Sequence, residues 1–96
     1  DSDQIADAQY WLGRVYFAQK KFEEAAIALA EFNSVFPNDP RFQETTLLIA
    51  ESAVNFAPKD QLCDILKQSL EFMVNPSEKF VQRINKLKNK KQCTTG

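Results

Sequence analysis

The segment that decides the fold is Trp11-Leu12-Gly13-Arg14-Val15-Tyr16-Phe17. In a helix, Gly13 has no side chain to hold a neighbour away, so a second helix can approach closely there. Ala25 supplies the small surface that meets it, and Tyr16 and Phe22 fill the volume between the two helices. Pro37 ends the second helix because proline has no backbone N–H to donate. This order of residues predicts a helix–turn–helix unit.

The rest of the chain extends this unit into an all-α fold. Apolar residues recur at steps of three and four over most of its length, and prolines at four positions mark breaks. Helices are predicted over residues 2–19, 21–35, 40–56, 59–73 and 78–90. Short joints favour antiparallel neighbours. We therefore predict one domain, 1–90, with hairpins at 3–36 and 40–74, a capping helix at 77–90, and a disordered tail at 91–96.

The first helix offers three faces. The face expected to be buried carries Ile5, Ala8, Leu12, Val15 and Tyr16, together with Gly13. An adjacent face, expected to look into a groove, carries Asp7, Tyr10, Arg14 and Phe17. Trp11 belongs to neither face, which predicts a contact with a preceding segment or with a second copy of the domain.

The spacing of Leu12-Gly13, Tyr16, Phe22, Ala25 and Pro37 resembles the signature of a tetratricopeptide repeat. The resemblance implies two hairpins of tetratricopeptide type and a capping helix, forming a fragment of a right-handed α-superhelix. The second unit is degenerate, with Ala50 in place of the glycine and Cys63 in place of Ala25.

The run from Ile5 to Leu87 also resembles the C-terminal domain of the periplasmic, Tol-Pal-associated YbgF (CpoB) family. The resemblance rests on the motifs Tyr-Trp-Leu-Gly, Lys-Phe-Glu-Glu-Ala, Phe-Pro-Asn-Asp-Pro and Lys-Asp-Gln-Leu-Cys. It implies a periplasmic cell-division protein that binds TolA and links septal wall synthesis to outer-membrane constriction. It also implies trimerisation through an N-terminal coiled coil that this chain lacks. Pro58 and the basic last helix depart from the family pattern.

The residue types present disfavour catalysis. There is no histidine among the 96 residues, which removes the commonest acid–base group and metal ligand. No glycine-rich phosphate loop occurs. We expect no enzyme activity, cofactor, metal or small-molecule substrate. No apolar run is long enough to span a membrane. Cys63 is expected to be a small buried residue and Cys93 to lie in the tail; a disulfide between them is the alternative in an oxidising compartment.

Charge is unevenly distributed along the chain. Residues 1–78 carry 6 basic and 13 acidic side chains, whereas residues 79–96 carry 6 basic and no acidic ones. One interpretation is a solvated helix face that complements the helix dipole. The other is a basic arm, 79–91, that binds an acidic partner, an anion or nucleic acid. A nucleic-acid role is disfavoured because Phe80 is the single aromatic residue of this arm.

A partner is expected to bind where the first helices of the two hairpins line a concave surface. The predicted binding residues are Asp7, Tyr10, Arg14, Phe17, Leu47, Glu51, Val54 and Asn55, with Glu44 beside them. The alternative is that Tyr10, Phe17, Leu47 and Val54 only pack one helix on the other. The leading hypothesis is a protein-interaction module of the bacterial cell envelope. The alternatives are a structural or oligomerisation module of another envelope complex, with Trp11 buried between copies, and a basic-arm anion binder.

Overall fold

The structure, a computed structural model, describes residues 2–93 and confirms the all-α class. The five helices, with no strand in the described range, are α1 (Ser2–Ala18), α2 (Phe22–Val35), α3 (Phe42–Ala53), α4 (Lys59–Phe72) and α5 (Glu78–Lys90). None of these helices is long and apolar enough to cross a bilayer. Helix α1 packs mainly on α2, α2 also packs on α3, and α5 packs on both α3 and α4.

Helix α3 is shorter at both ends than the pattern predicts. Asp39 does not cap it; instead, its carboxylate accepts hydrogen bonds from the backbone and guanidinium of Arg41. The helix therefore begins at Phe42 rather than at Pro40. It ends at Ala53, after which residues 54–56 form a turn. At α5 the Ser77 side chain caps the helix, because its hydroxyl accepts from the Phe80 backbone N–H at 3.1 Å.

Two helices end in the same backbone arrangement. After α1, Lys20 adopts a φ of 62° and the Lys21 N–H donates to the Tyr16 carbonyl at 2.9 Å. After α5, Gln92 adopts a φ of 58° and the Cys93 N–H donates to the Lys88 carbonyl at 2.8 Å. A left-handed residue after a helix, with a hydrogen bond back across the last turn, reverses the chain direction. The second of these turns directs Cys93 back toward the helices.

The turn after α5 corrects two expectations about the cysteines. Cys93 is disulfide-bonded to Cys63 of α4, with their Cα atoms 5.5 Å apart. Residues 91–93 are thus part of the fold rather than a disordered tail, and 94–96 lie outside the described residues. Cys63 is half-buried and bonded rather than a free thiol in the core.

The close approach expected at Gly13 is present, and the residue that meets it is Leu29 of α2. A Cβ atom at Gly13 would lie 2.4 Å from Leu29 Cδ2 and 2.5 Å from its Cγ. Leu29 is fully buried, so it has no open space to move into. Ala25, which was predicted to meet Gly13, is fully buried on α2, but the three atoms nearest to the Gly13 Cβ position all belong to Leu29.

The predicted buried face of α1 is wrong for Ile5, Ala8, Leu12 and Val15 and right for Gly13. The buried residues are Ala6, Tyr10 and Gly13, which also recur at steps of four and three. Ile5, Leu12 and Val15 are 62%, 44% and 49% exposed. The helix thus carries two stripes of apolar or small residues. Because Gly13 makes the close contact with α2, the stripe of Ala6, Tyr10 and Gly13 faces the core and the aliphatic stripe faces solvent.

The core has two parts. Near α1 and α2, Ala6, Tyr10 and Phe32 form one buried cluster. The larger cluster joins α3, α4 and α5 and consists of Ala50, Ala53, Leu62, Leu66, Phe80 and Ile84. Helix α5 is therefore part of the fold's interior and not a solvated arm alone.

Substituting Gly13 by alanine is expected to lower the free energy of unfolding by about 1 kcal/mol. Alanine gains up to about 1 kcal/mol in helix propensity, but overpacking a filled core costs about 1–3 kcal/mol. Urea unfolding of Gly13→Ala measures the balance. The loss should shrink when Gly13→Ala is measured in a Leu29→Ala background, because alanine lacks the Cγ and Cδ atoms that clash. A Gly13→Ala variant more stable than the parent would contradict the close contact.

Candidate functional site

The predicted binding residues separate into two groups at opposite ends of α1. Asp7, Tyr10 and Arg14 lie in a polar cluster with α3 and the loop before it. Phe17 lies at the other end, beside the ends of α3 and α5. There Glu51, Val54 and Asn55 join it along one groove. Leu47 is partly buried against the larger core cluster and does not line this groove.

The polar cluster joins α1 to α3. The Tyr10 hydroxyl donates to the Glu44 carboxylate and accepts from Arg14 at 2.8 Å. Arg14 also donates to Glu44 at 2.9 Å. Burial of the ring and the bond to Glu44 raise the pKa of Tyr10, so the phenol stays protonated as a donor. Only 5% of Tyr10 is exposed, and its ring offers almost no surface to a partner.

A second ion-pair group extends the cluster. Arg41 contacts Asp39 at 3.0 Å and Asp7 at 2.8 Å, and its guanidinium lies over the ring of Tyr10 at 4.8 Å. Hydrogen bonding to Arg41 lowers the pKa of Asp39. The charges of Asp7, Arg14 and Glu44 are thus satisfied within the chain. This cluster orients α1 against α3 and the loop before it.

The groove at the other end of α1 has a volume of about 610 Å³. Both apolar and charged side chains line it. The lining residues are Phe17, Ala18, Lys20, Phe22, Glu51, Val54, Asn55, Arg83, Leu87 and Lys90. The rings of Phe17 and Phe22 meet edge to face, with centroids 5.5 Å apart. They form one rigid aromatic wall, which is the kind of surface that anchors peptide side chains.

The charge of the groove is positive. Lys20, Arg83 and Lys90 are its cations, and Glu51 is its one acid. Glu51 accepts from Arg83 at 2.9 Å, which leaves Lys20 and Lys90 without an acidic partner in the groove lining. An apolar surface bordered by unbalanced lysines attracts a segment that carries both apolar and acidic residues.

Sequence reasoning missed the contribution of α5 to the groove. Arg83, Leu87 and Lys90 stand at steps of four and three, so they share one helix face. This signal was present, but the helix was interpreted as a cap. Lys20 lies in the turn after α1, and Phe22 is the first residue of α2. The left-handed backbone of Lys20 sets the directions of both side chains.

Trp11 is 56% exposed and lies outside both groups. Its ring meets the edge of Tyr10, with centroids 5.1 Å apart, and the Arg14 guanidinium lies 5.5 Å from its centroid. These contacts hold the indole in place on the surface.

No cluster of three or more His, Cys, Asp or Glu side chains is arranged to hold a metal ion within residues 2–93. Comparison with known proteins identifies no relative: no family model, curated protein or solved structure matches this chain.

Proposed function

We propose that this chain is a non-enzymatic protein-interaction module that binds an acidic, partly apolar segment of a partner protein. The groove between α1, α3 and α5 carries the proposal, because it combines an aromatic wall with unbalanced lysines. A helical or extended peptide that places apolar side chains against Phe17 and Phe22 can direct its carboxylates toward Lys20 and Lys90.

The proposed architecture is a pair of tetratricopeptide-type hairpins closed by α5. The close contact between Gly13 and Leu29 supports it for the first hairpin. In such an arrangement the first helix of each pair and the closing helix line one concave side. The groove shared by α1, α3 and α5 supports this proposed arrangement.

The proposed setting is the bacterial cell envelope, with a TolA-like protein as partner, by resemblance to the Tol-Pal-associated family. The disulfide supports an oxidising compartment such as the periplasm, because disulfides persist there and are rare in the cytosol. The resemblance further suggests that a longer protein trimerises through a coiled coil.

The groove is tested with a fluorescein-labelled peptide of alternating leucine and glutamate pairs, and with a matched peptide in which lysine replaces glutamate. We expect the acidic peptide to shift the amide resonances of Phe17, Val54 and Leu87. Lys90→Glu should weaken binding about 3- to 10-fold, because it reverses a charge at the groove. Lys67→Glu, on the exposed surface of α4, is the matched control and should change binding less than twofold.

Two outcomes would contradict the groove. The lysine peptide could bind as tightly as the glutamate peptide, or the shifts could avoid α1 and α5. Binding of a polyanion that is insensitive to Phe17→Ala would instead favour the basic-arm alternative, because that mode needs no apolar wall.

A further inference from the structure

Helix α1 displays an unpartnered apolar stripe on the side nearly opposite its buried face. The stripe consists of Ile5, Ala8, Leu12 and Val15, with Trp11 along its edge, and all five residues are exposed. Among the four large side chains, exposure ranges from 44% for Leu12 to 62% for Ile5. Isolated exposed apolar residues are ordinary, but a contiguous set on one helix marks an interaction surface.

The spacing of the stripe identifies what kind of surface it is. The residues follow one another at steps of three, four and three, which is the first-and-fourth-position pattern of a coiled-coil heptad. A seam this narrow meets one facing helix. A second helix that carries the same repeat fits it by inserting its side chains between those of α1.

We propose that the occupant is α1 of a second copy of this chain, running antiparallel across a two-fold axis that crosses the stripe midway between Ala8 and Leu12. Reversing the direction places Ile5 opposite the second copy's Val15, and Ala8 opposite its Leu12. Each small residue then meets a large one, as close packing requires. A parallel pair would oppose Ala8 with Ala8 and leave a void. The antiparallel axis also brings the two Trp11 rings close together.

Charge and area agree with self-association. None of the five residues is charged, and the two charged residues between positions 5 and 15, Asp7 and Arg14, are paired with Arg41 and Glu44. Two copies can thus approach without like-charge repulsion. At roughly 100 Å² for each large side chain, the pair buries on the order of 900 Å² in total, which is below the roughly 1,200 Å² of standard specific interfaces and typical of weak, transient ones. We therefore expect a weak, reversible dimer.

The dimer leaves the proposed groove open, because Phe17 lies on the opposite side of α1 from the stripe. A variant that abolishes self-association should therefore still bind the peptide, and a variant that abolishes peptide binding should still self-associate.

Sedimentation velocity of the native, disulfide-bonded chain from about 1 μM to 1 mM tests the dimer. We expect a concentration-dependent shift from monomer to dimer. Leu12→Glu should raise the dissociation constant at least about 30-fold, because it places a charge in both halves of the seam. The matched control is Phe72→Glu, since Phe72 is 77% exposed at the end of α4; it should leave dimerisation within twofold. A monomer at 1 mM, or a dimer lost with Phe72→Glu but retained with Leu12→Glu, overturns the proposal.

Cysteine cross-linking tests the direction. Residues 5 and 15 are about 15 Å apart along the helix axis, too far for a disulfide within one chain. When Ile5→Cys and Val15→Cys proteins are mixed and oxidised, the cross-linked product should be the mixed dimer. Cross-linked homodimers of either single variant at comparable yield would show a parallel pair. Circular dichroism confirms that each variant is folded.

Discussion

Reduction of the Cys63–Cys93 disulfide is expected to lower the free energy of unfolding by about 3–4 kcal/mol. The bond closes a loop with a sequence separation of 30, and cross-linking restricts the unfolded chain by about that amount. For a domain of this size the melting temperature should fall by about 15–25 °C. Thermal unfolding followed by circular dichroism, with and without a phosphine reductant, measures the change.

The double variant Cys63→Ala with Cys93→Ala is the control for reduction. It should melt with the reduced parent and should not respond to the reductant. The oxidised parent should contain no reactive thiol in denaturant, because both cysteines are bonded. If the oxidised and reduced proteins melt within 3 °C of each other, the disulfide does not stabilise the domain as described.

The second large effect is expected for Phe32→Ala, which should cost about 3–5 kcal/mol of unfolding free energy. Phe32 is fully buried, and its ring lies 6.0 Å from that of Tyr10 and 5.5 Å from that of Phe36. The Arg41 guanidinium covers it at 5.4 Å. Removing the ring opens a cavity where α1, α2 and the loop before α3 meet. Urea unfolding measures the loss as a lower midpoint.

Phe72→Ala is the matched control, since it removes the same ring from a surface position. Its effect should remain within about 0.5 kcal/mol. Phe32→Leu should lose less than Phe32→Ala because most of the volume is kept. Equal losses for Phe32→Ala and Phe72→Ala would show that the Phe32 ring does not occupy a filled core.

The helices were predictable because their signals are local. Proline at positions 37, 58 and 76 breaks the helical pattern directly, and the Ser77 cap is a contact between near neighbours in sequence. The limits of α3 were missed because Asp39 has two possible partners. The Asp39 carboxylate accepts from the backbone N–H and the guanidinium of Arg41 instead of from the N–H groups of the helix, and this choice depends on side-chain geometry.

The orientation of α1 could not be derived from its own sequence. Both Ala6-Tyr10-Gly13 and Ile5-Leu12-Val15 satisfy helical periodicity, and hydrophobicity favours the second set. The choice between them depends on contacts from other elements: Leu29 against Gly13, and the Glu44 carboxylate on the Tyr10 hydroxyl. Hydrophobicity alone therefore selected the wrong stripe.

Half of the predicted binding residues line the groove and half do not, because the sequence does not specify which neighbouring element each residue meets. Phe17, Glu51, Val54 and Asn55 lie where α1 and α3 end beside α5. Tyr10 and Arg14 share a face with Phe17 but meet Glu44 instead. The periodicity specifies the face of a helix, whereas the neighbour at each end of that face is a property of the assembled fold.

The disulfide described above also changes how the chain transmits mechanical load. A pull on the chain outside residues 63–93 passes from one cysteine directly to the other and bypasses the 29 residues between them. Helix α5 and most of α4 therefore bear no force even when the rest of the domain is stretched. At about 3.5 Å per residue, the oxidised chain should extend about 100 Å less than the reduced chain before it is taut.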